Sequence, residues 1–148
     1  MLSNESKPGT ITCLKLYLDP VIDMVKVEVI HLPDCTPNYD DGDCDCDDDA
    51  LSKQCQEMRE HIDCQFYSCM QVRMSNNEWV DIWFDDEALL KPSDRMLMTK
   101  VVNYPQALFG TLLISGSGQS TGYITDVPES VKSNLPLLVS DFHITKTN

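Results

Sequence analysis

Apolar and polar residues alternate with the period of a strand along much of this chain, and once with the period of a helix. Leu14, Leu16 and Leu18 mark one side of a strand over 10–18. Val25, Val27 and Val29 alternate with Lys26 and Glu28 in a second strand over 24–32. Asp19-Pro20 interrupts the pattern, so the two segments are predicted to form an antiparallel hairpin around residues 19–23. Leu51, Cys55, Met58 and Ile62 recur at i, i+4, i+7 and i+11, one face of an amphipathic helix, with Gln54, Glu57, Arg59 and Glu60 off that stripe. Asp48 or Asp49 is placed to cap it. Period two returns over 66–74, where Phe66, Met70, Val72 and Met74 oppose Tyr67, Cys69, Gln71 and Arg73. Ser75-Asn76-Asn77 is a turn signal, and Val80, Ile82 and Phe84 continue the alternation as the return strand of a hairpin.

The stretch from Glu78 to Gly116 is the centre of the pattern: a strand, the acidic turn Asp85-Asp86-Glu87, a leucine step into Pro92, then an apolar run over 107–115. That run is more continuous than an alternating strand and suits a central strand covered on both sides. After Gly116 a Ser/Gly-rich loop leads to a short strand over 123–125. A short helix over 127–134 has Pro128 in its first turn. Residues 137–144 suit a last strand or an oligomer-forming arm. The predicted class is α+β, a mainly antiparallel sheet with one main amphipathic helix on a face and a short C-terminal helix. A single domain over 1–148 is expected, with a flexible leader at 1–9, an acidic insertion at 33–49 and a C-terminal arm at 135–148.

Charge narrows the function classes. The formal net charge is −13, from 24 acidic against 11 basic side chains. Such a field repels phosphate backbones and anionic membranes, so direct nucleic-acid and membrane binding are not expected. A basic protein, a cation or solubility alone fits it better. The first residues lack a basic-then-apolar signal, and no apolar run reaches transmembrane length, so the reading is cytoplasmic. Seven cysteines at irregular spacing read as thiols in a reducing compartment.

Residues 33–49 hold eight aspartates and three cysteines and offer little to pack. Asp41, Asp43, Asp45 and Asp47 alternate like ligands of a hard cation. A calcium loop, however, needs Gly sixth and Glu twelfth. Counting from Asp41 puts Cys46 and Ser52 there, and counting from Asp43 puts Asp48 and Gln54. Cys44-x-Cys46 has too short a gap for zinc and no second ligand pair. No metal site and no cofactor are therefore predicted. His31, His61 and His143 sit in unrelated patterns, no glycine-rich elbow presents a nucleophile, and no phosphate loop occurs, so a non-enzyme is expected. Tyr67, Trp79 and Trp83 share a face with Arg73, which suits stacking of a flat ligand or a buried interface. Around Lys91-Pro92-Ser93-Asp94-Arg95 the cations stand apart from the general negative charge, and Arg95 suits a phosphate or carboxylate. Its bland alternative is an ion pair with Asp94 or Asp86.

The order of elements, with Asp19-Pro20, the helix from Leu51 to Ile62, Asp86-Glu87, Leu90, Pro92, Asp94-Arg95 and Gly110-Thr111, resembles the domain of unknown function 3846 family of small phage and plasmid proteins. The resemblance spans about residues 12–125, with the acidic loop as an insertion. The family's turn glycine is Ala88 here, and its Asn before Arg is Asp94. The resemblance implies a mobile-element protein acting in the cytoplasm of an infected bacterium. On that basis the expected function is a non-catalytic accessory protein, a homo-oligomer, that sequesters a small nucleotide-like immune signal. Its expected ligand-binding residues are Arg73, Trp83, Lys91, Asp94 and Arg95. The alternative is a DNA-mimicking decoy of a basic host protein, acting through Asp40, Asp41, Asp43, Asp45 and Asp47. A further alternative is a hydrolase.

Overall fold

The structure is a computed structural model, and it describes residues 9–34, 48–90, 95–117 and 124–146. The predicted leader, apart from Gly9, and most of the predicted acidic insertion lie outside them. The described elements run β1 (Thr10–Asp19), β2 (Met24–Pro33), α1 (Asp48–Ile62), β3 (Ser68–Arg73), β4 (Trp79–Phe84), β5 (Arg95–Val101), β6 (Leu108–Phe109), β7 (Leu112–Gly116), α2 (Glu129–Ser133) and β8 (Val139–Lys146). The class is α+β, as the alternation predicts, but the strands divide between two antiparallel sheets. One has the order β2-β1-β7-β4-β3, and the smaller has the order β6-β5-β8.

The β1–β2 hairpin is in continuous register from Thr10 opposite Pro33 to Asp19 opposite Met24. Asp23, at φ 56°, closes its tip by donating its N–H to the Asp19 carbonyl at 2.8 Å. β3 and β4 pair from Ser68–Phe84 to Arg73–Trp79. β7 lies between β1 and β4, with Leu14 and Ile82 both opposite Ile114.

Pleating sends alternate side chains of the five-stranded sheet to opposite faces. Leu14, Leu16, Val80, Ile82, Leu112 and Ile114 form one cluster with Leu97, Val101, Leu108, Val131 and Leu138 from the smaller sheet and its flanking turns. Ile11, Cys13, Ile30, Leu32 and Leu113 point the other way, onto Met58 and Ile62 of α1. Leu112, Leu113 and Ile114 are all fully buried, as a strand covered on both sides should be.

Several sequence expectations need correction. The predicted strand over 107–115 is two strands. Gly110, at φ +87°, turns the chain so that β6 joins the smaller sheet while β7 joins the larger. An unbroken apolar run conceals this, because both halves are buried. Residues 95–101, to which the alternation assigns no element, form β5, the middle strand of the smaller sheet. Met96 and Leu97 are both buried, so period two is obscured there. Gln54, placed off the helix stripe, is buried and donates from Nε2 to the Pro33 carbonyl at 2.8 Å, tying α1 to the end of β2. Phe66 precedes β3 and is 76% exposed, so it does not share the apolar side of Val72. Pro128 caps α2 from just outside its first turn. Of the two readings of residues 137–144, the strand is observed: β8 pairs with β5 from Arg95–Lys146 to Val101–Val139.

Candidate ligand-binding clefts at the acidic turn

β4 ends at Phe84, and the chain folds into a turn held by Asp85. Its Oδ1 accepts the Glu87 N–H at 3.0 Å, and its carbonyl accepts the Ala88 N–H at 3.2 Å. This is the local self-capping for which aspartate is favoured in turns. The Leu90 N–H then reaches the Glu87 carbonyl at 2.9 Å, closing the 3-10 turn Ala88–Leu90. Asp86 is fixed from the side, where Ser68 Oγ donates to its Oδ2 at 2.9 Å.

Two clefts flank this turn. The larger, about 560 Å³, sets the rings of Phe84, Tyr104 and Phe109 and the side chain of Leu89 around Asp85, Asp86 and Gln106. The smaller, about 340 Å³, includes Leu18 and Pro20 from the β1–β2 tip, Asp63 from the end of α1, and Arg95 and Thr111. Asp85 and Ala88 line both. Gly110 closes against Ala88, where an added Cβ would stand 3.4 Å from the alanine methyl carbon. A side chain larger than alanine at 88 would therefore press on this wall.

The expected ligand residues are dispersed. Arg95 lines the smaller cleft and pairs through Nη1 with Asp23, and Asp94 lies outside the described residues. Arg73 stands at the opposite end of the β3–β4 hairpin, paired with Trp79, whereas Asp85 follows the other end of β4. Trp83 is half-buried beneath α1. Its indole N–H donates to Ser115 Oγ at 2.9 Å, and Tyr67 meets it edge-on at 5.6 Å and 81°. The shared face of Tyr67, Trp83 and Arg73 follows the predicted register, but Trp83 faces protein there. Lys91 and Asp94 lie outside the described residues, as do Asp40, Asp41, Asp43, Asp45 and Asp47.

The remaining reactive groups are distributed elsewhere. His31 Nδ1 is 3.5 Å from Thr12 Oγ1, and His61 Nδ1 is 3.4 Å from Lys15 Nζ. Burial, with the Lys15 charge second, holds His61 below its ordinary pKa. Burial pushes the Cys13 thiol up to about 12, with Asp126 adding to it. The Cys69 thiol is likewise raised to about 12 by burial and then by Asp81. Neither supplies a thiolate at neutral pH, so both are poor nucleophiles. Among the described residues, no group of three or more His, Cys, Asp or Glu side chains is arranged to hold a metal ion. Among those residues, too, no helix is long and apolar enough to cross a membrane.

No family model, curated protein or solved structure matches this chain. The resemblance to the domain of unknown function 3846 family rests on its short motifs alone. Sequence reasoning isolated the acidic turn and Arg95 but missed Tyr104, Gln106, Asp63 and Asp23. Tyr104 and Gln106 flank Pro105 in a connection that only looks like a turn. Asp63 and Asp23 are surface acids until the fold brings them to Arg95.

Proposed function

We propose that this chain is a non-catalytic binding protein for a small ligand, held in the two clefts that share Asp85 and Ala88. The carrying observation is the composition of the larger cleft: aromatic and aliphatic walls around a few fixed polar groups, the usual character of a small-molecule site. A nucleotide-like ligand fits this arrangement. Phe84, Tyr104 and Phe109 offer faces and edges to a base. Asp85 and Asp86 accept hydrogen bonds from its amino groups. Arg95, in the adjoining cleft, suits a phosphate. Sequestration of an immune signal in the cytoplasm of an infected bacterium is the more specific form of this reading, and it is supported by the family resemblance only.

The test is mass spectrometry of small molecules released from purified protein, beside thermal shifts with cyclic dinucleotides and ADP-ribose. A bound nucleotide should be returned unaltered. Arg95→Ala should weaken its binding roughly 10- to 100-fold, the loss of a hydrogen bond to a charged group. Arg73→Ala, at the far end of the hairpin, should leave binding unchanged. Altered ligand on release, or equal loss in both variants, overturns the reading.

A further inference from the structure

The five-stranded sheet ends at β2, which pairs with β1 along its whole length and has no partner on its outer side among the described residues. Which of its backbone groups point outward follows from two hydrogen bonds. The Asp34 N–H donates to the Gly9 carbonyl at 3.1 Å, so Gly9 and Asp34 form a hydrogen-bonded pair. Thr12 instead points its backbone away from β2: its N–H donates to Asp126 Oδ1 at 2.8 Å, and its carbonyl accepts the Val127 N–H at 2.8 Å. Antiparallel pairs alternate between the two kinds. Leu32, Ile30, Glu28, Lys26 and Met24 therefore bond to β1, and His31, Val29, Val27 and Val25 aim their N–H and C=O groups outward.

Such an edge is a template for another strand. It has no bulge along its register with β1, and its one proline, Pro33, closes it. The side chains specify the occupant. Val25, Val27 and Val29 are half-buried at the rim of the apolar cluster, and Lys26 and Glu28 flank Val27 on the opposite face. Around Val27 the strand is its own complement. A second copy laid antiparallel, with Val27 opposite Val27, sets Val25 against Val29 and Lys26 against Glu28, twice over by symmetry. Centring on Lys26 or Glu28 would oppose like charges instead, which destabilises a cross-strand pair.

We infer that two copies of this chain associate through β2 about a two-fold axis at Val27, joining their larger sheets into one. Such an interface is isologous and closed, so it gives a dimer and not a fibre. Inside each chain Lys26 Nζ also meets Asp19 at 3.0 Å and the Tyr17 hydroxyl donates to Glu28 at 2.5 Å, contacts to β1 that pairing with a second copy has to share or replace.

The test is native mass and sedimentation velocity of the full chain at moderate salt, because −13 on each copy repels at low ionic strength. Val27→Pro removes an outward N–H that has no role in the β1 pairing, so the variant should fold and be monomeric. Lys26→Glu and Glu28→Lys, each alone, should weaken the dimer about tenfold, since each turns two attractive pairs repulsive. Mixed in equal amounts, these two variants should restore it as a heterodimer, which locates the contact at this pair of charges. The inference is overturned by a native chain that stays monomeric into the millimolar range. It is equally overturned by a dimer that neither the proline nor the charge variants disturb.

Discussion

The two faces of the five-stranded sheet are built differently, and neighbouring residues of β7 show how. Ile114 points into the layer shared with the smaller sheet, in one apolar cluster with Leu14, Ile82 and Leu112. Ser115 points the opposite way, toward α1, and is just as deeply buried, but it accepts the Trp83 indole N–H. The α1 face also carries buried Gln54 and Asp81, and half-buried His61 beside Lys15. The first layer rests mainly on apolar packing, with Thr99 buried on the same side of β5 as Leu97 and Val101. The other adds specific polar contacts, Trp83 to Ser115 and Gln54 to Pro33, whose loss would leave buried groups unmatched.

The sharpest way to break this contrast is to remove bulk from the dry layer. Ile114→Ala should destabilise the fold by about 2–5 kcal/mol, read from chemical denaturation, because the surrounding sheets cannot collapse around the void. Ser115→Ala removes far less volume, yet should cost about 1–3 kcal/mol by leaving the Trp83 N–H buried without an acceptor. Equal insensitivity of the two sites would mean that the faces do not differ. The smallest effect concerns pH. Burial and Lys15 hold His61 below its ordinary value of 6.5, against the opposing pull of Glu57, Glu60 and Glu28. The unfolded chain therefore takes up its proton first, so stability falls as pH drops below 6.5 and is unaffected by this group above it. His61→Gln should flatten that acid-side slope in a series of denaturation curves.

The same contrast explains what could be read in advance. β1, β2, β3, β4 and α1 follow from the spacing of apolar residues because each contains a stretch in which apolar and polar positions alternate at the element's own period. β5 and the break at Gly110 do not, because Met96-Leu97 and the run from Leu108 to Ile114 are apolar in succession and carry no period. At the clefts, the acidic turn is legible from Asp85-Asp86-Glu87, whose role is local. The aromatic wall is not: Tyr104 and Phe109 reach Phe84 only through pairings between distant segments, which no window of sequence contains.

β7 completes the larger sheet by entering between β1 and β4, so Leu14 meets Ile114 across most of the chain. During synthesis the first hairpin must therefore wait, with two open edges, until β7 has left the ribosome. Pairings of such long range close slowly, and for that interval the nascent chain exposes the strand edges most prone to mispairing.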